Sequence, residues 1–199
     1  MSTATTHTAE NVIIADADYL DKVAFNLTVN FERVINRPIP KADLARWTDC
    51  IALDGGLREG RHQTTVVLVH DRHTKEMKNF VPSHFDTELN ATAFSDHLGE
   101  FTFSACHTED MASSNDFIAD IIQTAASQPA IKRIMAVPNG EESLDKVTQA
   151  MRQADLQDKR ATLFTMQPMA AGGFRTEILG FSVMAALGIK SEEITAHTM

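Results

Sequence analysis

The chain is poor in the residues that staple or anchor a protein from outside its own core. Only two cysteines occur in 199 residues, Cys50 and Cys106. They stand far apart without paired spacing, which argues against a disulfide framework, a zinc site or a redox motif. No segment approaches the run of about 18 apolar residues that spans a bilayer. The opening stretch 1–10 is polar and threonine-rich, without the apolar centre of a secretory signal. Basic charge is scarce as well. Eighteen Lys and Arg face 27 Asp and Glu, a formal net charge of −9, so a nucleic-acid partner needs a local basic patch or a bridging cation. These absences predict a cytoplasmic protein that makes no membrane contact.

What the chain has in quantity is core material. At 43% hydrophobic content it can bury one substantial core. The expected organisation is a disordered tail over 1–10, a single α/β domain over 11–190 and a C-terminal tail over 191–199. NVIIAD at 11–16 is a short apolar run of buried-strand type. Leu20, Val23, Ala24, Leu27, Phe31, Val34 and Ile35 then recur at helical spacing until Pro38 and Pro40 stop the pattern. A second helix is expected over 42–53, ending at Gly55-Gly56.

TTVVLV at 64–69 is the clearest strand, β-branched and apolar on both faces. Residues 70–98 form a polar, histidine-bearing stretch of weak pattern, read as an insertion with a short strand or helical turn. Phe101, Phe103 and Ala105 alternate with polar neighbours as in a strand with one drier face. Beyond them come a helix over 115–127, a strand over 131–137, a helix over 142–154, a strand over 161–166 and a last helix over 173–187. Strands alternating with helices imply a three-layer, Rossmann-like α/β domain with about five mostly parallel strands, the first two apolar runs lying centrally.

In such sheets ligands collect beyond the carboxyl ends of the strands. The residues there are polar: Asp16 and Asp18 after the first strand, His70-Asp71 after the second, His107, Glu109 and Asp110 after the third, and Asn139 to Glu142 after the fourth. Converging carboxylates repel unless a cation neutralises them, and magnesium or manganese is the natural candidate. A strand-end carboxylate also serves as a helix cap or in a solvated turn, and that reading stands beside the metal one at every position.

An initial strand ending in Asp, a later Asp-bearing helix after a polar loop, and a strand followed by a small polar turn and helix together resemble the NYN/PIN-like ribonuclease superfamily over 11–166. The resemblance implies a divalent-metal-dependent hydrolase of phosphodiesters acting on RNA or a nucleotide. Asp16 takes the first metal-ligand position and Asp18 lies beside it, these two being the catalytic pair. Asp116 stands at the acidic helix start. Pro138-Asn139-Gly140-Glu141-Glu142 replaces the later acidic turn, so Glu141 is the ligand there. Asp116 and Asp120 lie nearly opposite the apolar face of their helix; Asp116 reaches a site only from the first turn, and Asp120 faces solvent. A second resemblance is to an uncharacterised family of Bacteroidetes-type bacteria, which implies no function.

Other arrangements are less specific. Asp16-Ala-Asp18 is similar to the nucleophile motif of haloacid-dehalogenase-like phosphatases, but Tyr19 follows where that family prefers Thr or Val, and no matching later Lys and Asp-Asp pair stands out. His70, His73, His84, His97 and His107 lack a tight ligand spacing. Gly55-Gly56 with Arg58 and Arg61 carries the donors of an anion site, although a surface loop is the simpler reading. Cys106 and His107 point to opposite faces of a strand and make no catalytic pair. Gly172-Gly173 is followed by no Lys-Ser or Lys-Thr of a phosphate loop. ILGFSVMAAL at 178–187 is apolar nearly all round, from which a homodimer through the C-terminal helix is expected. Two functional classes follow: a metal-dependent phosphodiesterase, or a non-catalytic ligand-binding or protein-interaction domain on a Rossmann-like frame.

Overall fold

The computed structural model describes residues 9–109, 112–170 and 172–196. Asn11–Asp16 forms strand β1, every residue of it buried. Helix α1 (Ala17–Ile35) follows without a loop and ends at Asn36, whose φ of 50° is the left-handed conformation that closes a helix. The short strand β2 (Ala42–Asp43) leads into α2 (Leu44–Asp54), and β3 runs from His62 to Asp71. Residues 70–98 hold β4 (Phe80–Val81), a π-helical turn at Phe85–Leu89 and β5 (Ala93–Asp96). Next come β6 (Gly99–Thr108), α3 (Ser114–Ser127), β7 (Arg133–Val137), α4 (Asp145–Asp155), β8 (Arg160–Thr165), β9 (Arg175–Ile178), α5 (Leu179–Ala186) and α6 (Ser191–Ala196).

Seven strands lie in one sheet in the order β5-β6-β3-β1-β7-β8-β9, and β2 pairs with β4 separately. All pairs are parallel except β5 with β6. β1 is therefore the middle strand, and the chain first winds outward through β3 and β6, then returns past β1 to β7, β8 and β9. This is a Rossmann-like α/β sheet with helices on both faces. Ile13, Ala15, Val66, Leu68 and Met135 pack against α1, α2 and α5 on one face. Val12, Ile14, Ile134 and Ala136 pack against α3 and α4 on the other. Because both faces are covered, the central strands read as continuous apolar runs.

The sheet has seven strands where about five were expected, because β5 and β9 are four-residue edge strands too short to show a period. The helix expected over 173–187 accordingly begins at Leu179: Arg175 to Ile178 extends alongside β8, with Arg175 opposite Thr162. Gly99 opens β6 with φ of +119°, and a Cβ there would meet the His62 backbone at 2.2 Å. Only glycine lets these chains approach so closely.

The expected tails also change. Residues 1–8 lie outside the described residues, but Glu10 is fastened: its N–H donates to the Gln63 carbonyl, and its carboxylate meets His62 and Lys132. Within the expected C-terminal tail over 191–199, Ser191–Ala196 forms α6, and residues 197–199 lie outside the described residues. The Arg37 guanidinium grips Glu193 at 2.7 and 2.9 Å and the Gly188 carbonyl at 3.1 Å.

Candidate functional site

The carboxyl edge of the sheet, between β1 and β7, is where the chain reverses its direction of winding and where ligands of such folds bind. Asp16 ends β1 there and is only 3% exposed. Its position follows from the sequence: the apolar strand stops at the first carboxylate, which at once serves as N-cap of α1. Asp16 Oδ1 accepts the Tyr19 N–H at 2.7 Å, and Oδ2 accepts the Ser114 hydroxyl at 2.5 Å across from α3. Burial raises the Asp16 carboxyl above the usual carboxylate range, against those two hydrogen bonds, and Asp18 and Glu142 add to the rise.

No glycine-rich turn lies between β1 and α1. The first amides of α1 point at a carboxylate of the same chain, so the helix end that would cradle a phosphate already holds its anion. Tyr19 fills the crevice from one side: a Cβ on Gly140 would lie 2.6 Å from its hydroxyl.

The other expected site residues are placed near this edge but do not share a ligand. Asp18 Oδ2 accepts the Asp71 N–H at 2.6 Å and so ties α1 to the end of β3. Glu141 receives Lys22 Nζ at 2.7 and 2.6 Å on the surface. Asp116 is half-buried in the first turn of α3 and pairs with Lys146 of α4. Asp120 is exposed, and Asp110 lies outside the described residues. A divalent ion of the magnesium type needs several oxygen ligands facing one point. Here Asp16 turns inward to Ser114, while Asp116 and Glu141 turn to different lysines. Among the described residues no three His, Cys, Asp or Glu side chains come together as a metal-binding group. The donor set as arranged does not fit the ion.

Between Asp16 and the loop after β7 lies a network that sequence reasoning missed. Asn115, 1% exposed, donates through Nδ2 to the carbonyls of Asn139 at 2.8 Å and Ser143 at 3.2 Å, and accepts the Asn139 N–H at 2.8 Å. Glu142 accepts the Ser113 hydroxyl at 2.6 Å and the Asn139 amide at 3.3 Å. Hydroxyls and amides thus supply the positive hydrogen ends that a cation would otherwise offer these carboxylates. The run Ser113-Ser114-Asn115-Asp116 carried a signal, since a helix needs one capping residue and this one offers four. Ser113 is the cap, accepting the Asp116 N–H at 3.3 Å, and its two successors are free for tertiary bonds.

The histidines also stay apart as ligands. His70 is buried, its ring stacked on Phe85 at 4.0 Å and 4°, and the ring of His107 lies 6.2 Å away at a steep angle. Both cysteines are free thiols held above their ordinary pKa by burial. No helix among the described residues is long and apolar enough to cross a membrane. Helix α5 packs against α1, α2, β2 and β8, which accounts for most of its all-round apolarity and leaves Phe181 as its strongly exposed residue, at 69%.

No curated protein matches the chain, and no solved structure does. A family model described as a family of unknown function (DUF6621) matches residues 5–194, and the chain belongs to that family.

Proposed function

We propose that this chain is a non-catalytic ligand-binding or interaction domain on a Rossmann-like frame, its carboxyl edge closed by its own side chains. One observation carries the reading: both oxygens of Asp16 are engaged within the chain, by the Tyr19 N–H and the Ser114 hydroxyl. A metal-dependent phosphodiesterase of the NYN/PIN-like kind needs that carboxylate turned outward to hold magnesium or manganese and orient a water for attack on RNA or a nucleotide. In this chain it caps a helix and bonds a neighbouring one. Isothermal calorimetry with magnesium and manganese, alongside hydrolysis of a single-stranded RNA and a chromogenic phosphodiester, tests the reading. The expected result is neither binding nor turnover. Divalent-ion binding abolished by Asp16→Asn, together with turnover, restores the phosphodiesterase and places Asp16 and Asp18 at its centre.

The partner that suits an interaction domain of this shape is a second copy, meeting through α5. Phe181 supports it, because an exposed phenylalanine on an otherwise packed helix is surplus to the chain's own core. Light scattering on the whole chain should return twice 21.9 kDa, and Phe181→Asp should return the monomer.

A further inference from the structure

We propose that the amino-terminal ends of β7, β8 and β9, together with the Gly55-Gly56 turn, form a binding site for a compact anion carrying phosphate groups, of diphosphate size. The site lies on the sheet edge opposite Asp16 and stands independently of the reading above. Its basis is register. Arg133 of β7 pairs with Arg160 of β8, and Arg175 of β9 pairs with Thr162, two residues further along. Residues paired across neighbouring strands share a sheet face, as do residues two apart on one strand. All three arginines therefore point to the same face, the one that Met135 and Phe164 present to α2 and α5. Three adjacent strands span about 10 Å, which suits two linked phosphates better than a long polymer.

The turn after α2 closes the group. Gly56 has φ of +89°, a conformation that favours glycine, and a Cβ there would lie 2.5 Å from the guanidinium carbon of Arg160, so that side chain rests directly against the turn. Arg58 follows in the same turn, donating to the carbonyls of Leu53 and Leu57. In a chain of net charge −9, four arginines in one place are a local exception. Partial burial, then the like charges of Arg175, Arg133 and Arg58, hold Arg160 below its ordinary pKa. Internal counter-charge is modest: Arg175 reaches Glu177 at 3.3 Å on the surface, and Asp54 sits near Glu177. The Arg160 guanidinium itself makes no hydrogen bond or ion pair among the described residues.

Two donors on this face also lack acceptors. The Thr162 hydroxyl is fully buried and unpartnered, and so is Arg133 Nε, whose neighbouring nitrogen reaches only Asn11 at 3.3 Å. Buried donors without acceptors are uncommon; these two lie beneath the arginines and leave that part of the face short of acceptors, while the exposed Arg160 guanidinium is what an arriving anion meets. Guanidinium forks bind such oxygens in pairs.

Calorimetry on the whole chain with inorganic pyrophosphate at low salt tests the proposal. Saturable one-to-one binding is expected. Arg160→Gln should weaken it by about tenfold, the size of one lost charged hydrogen-bond pair, whereas Arg46→Gln on the far end of α2 should leave it unchanged. Without ligand, Arg160→Gln should melt at the same or a higher temperature, since it relieves repulsion. The proposal falls if no saturable binding appears up to millimolar pyrophosphate, or if both variants weaken binding equally. It also falls if Arg160→Gln lowers the ligand-free melting temperature by several degrees, which would make that arginine a support of the α2 terminus. Tighter binding of a single-stranded RNA than of pyrophosphate would overturn the compact-anion specificity.

Discussion

Asn115 and Asn139 hold each other through opposite groups: the Asn115 amide donates to the Asn139 carbonyl, and the Asn139 N–H donates back to the Asn115 side-chain oxygen, each at 2.8 Å. The pair joins the start of α3 to the loop after β7 as one backbone segment would join another. Replacing Asn115 with Ala takes a partner from the half-buried Asn139 N–H and from the Ser143 carbonyl, while the Asn139 carbonyl keeps the Glu142 N–H. Each unsatisfied buried group costs about 1–3 kcal/mol, partly recovered by entering water. Asn115→Ala should therefore lose about 1–3 kcal/mol in urea unfolding, with an unchanged m-value. A loss below about 1 kcal/mol would show that water replaces the side chain.

Asp16 makes a prediction with a definite sign. Its folded-state carboxyl is raised, chiefly by burial, so the folded chain keeps this proton where the unfolded chain has lost it. Stability from this group is complete below about pH 4 and declines as pH rises through the folded value. Asp16→Asn retains a good helix cap and abolishes that decline. It should match the unmodified protein near pH 4 and melt at the same or a higher temperature at pH 7. Asp16→Ala should lose about 1–2 kcal/mol at both pH values, because the cap itself is gone. Melting curves across that range check both, and a strongly destabilised Asp16→Asn at pH 7 would contradict the assignment.

Asp49 on α2 faces Asp96 at the turn between β5 and β6, and its carboxyl is pushed up to about 7 by burial, by the hydrogen bond it shares with Asp96 and by that residue's charge. Two carboxylates in hydrogen-bond contact need a proton between them. Asp43 adds to the rise and His97 opposes it. The sign is again that of a raised acid: stability is full below about pH 4 and falls as pH climbs through about 7. Asp49→Asn, which keeps a donor toward Asp96, should raise the melting temperature at pH 8 more than at pH 4.5. An equal shift at both would separate Asp49 from the pH response.

Glu193 has the opposite sign. The Arg37 guanidinium, then the Lys190 N–H, hold its carboxyl down to about 2, so its contribution is present above pH 4.5 and is lost as pH falls toward 2. Glu193→Gln should free α6 while the sheet stays intact. Hydrogen exchange at pH 7 should be faster over 191–196 alone, and the unmodified chain at pH 3 should begin to resemble the variant.

The parts of the fold legible in the sequence were those whose residues carry both pattern and length. NVIIAD and TTVVLV are apolar on both faces because helices cover both faces, and they lie at and next to the centre. β5 falls inside the 70–98 stretch, where a short strand or helical turn was expected but could not be placed, and β9 escaped because four residues at a sheet edge show no period and it leads straight into the apolar α5. At the candidate site, Asp16 was placed correctly at the carboxyl edge. Its partner Ser114 is 98 residues away in sequence, a pairing that no local pattern contains. The arginine group was illegible for the same reason: Arg133, Arg160 and Arg175 stand on separate strands, and only strand register sets them side by side.

The central position of β1 also bears on how the chain is made. Asn11 leaves the ribosome well before either of its neighbours: it lies beside Thr64, 53 residues later, and Arg133, 122 residues later. At about 5–20 residues per second, the second neighbour is synthesised roughly 6–24 s after the first strand. Throughout that interval NVIIA presents an unpaired apolar edge, the kind of segment that joins other chains before its own. α1 can form meanwhile, since its Asp16 cap and its stop at Asn36 are local, and it can shelter one face of the waiting strand. The other face remains open until α3 has been made, so slower elongation between β1 and β7 lengthens the exposure and should raise the fraction of chains lost to aggregation.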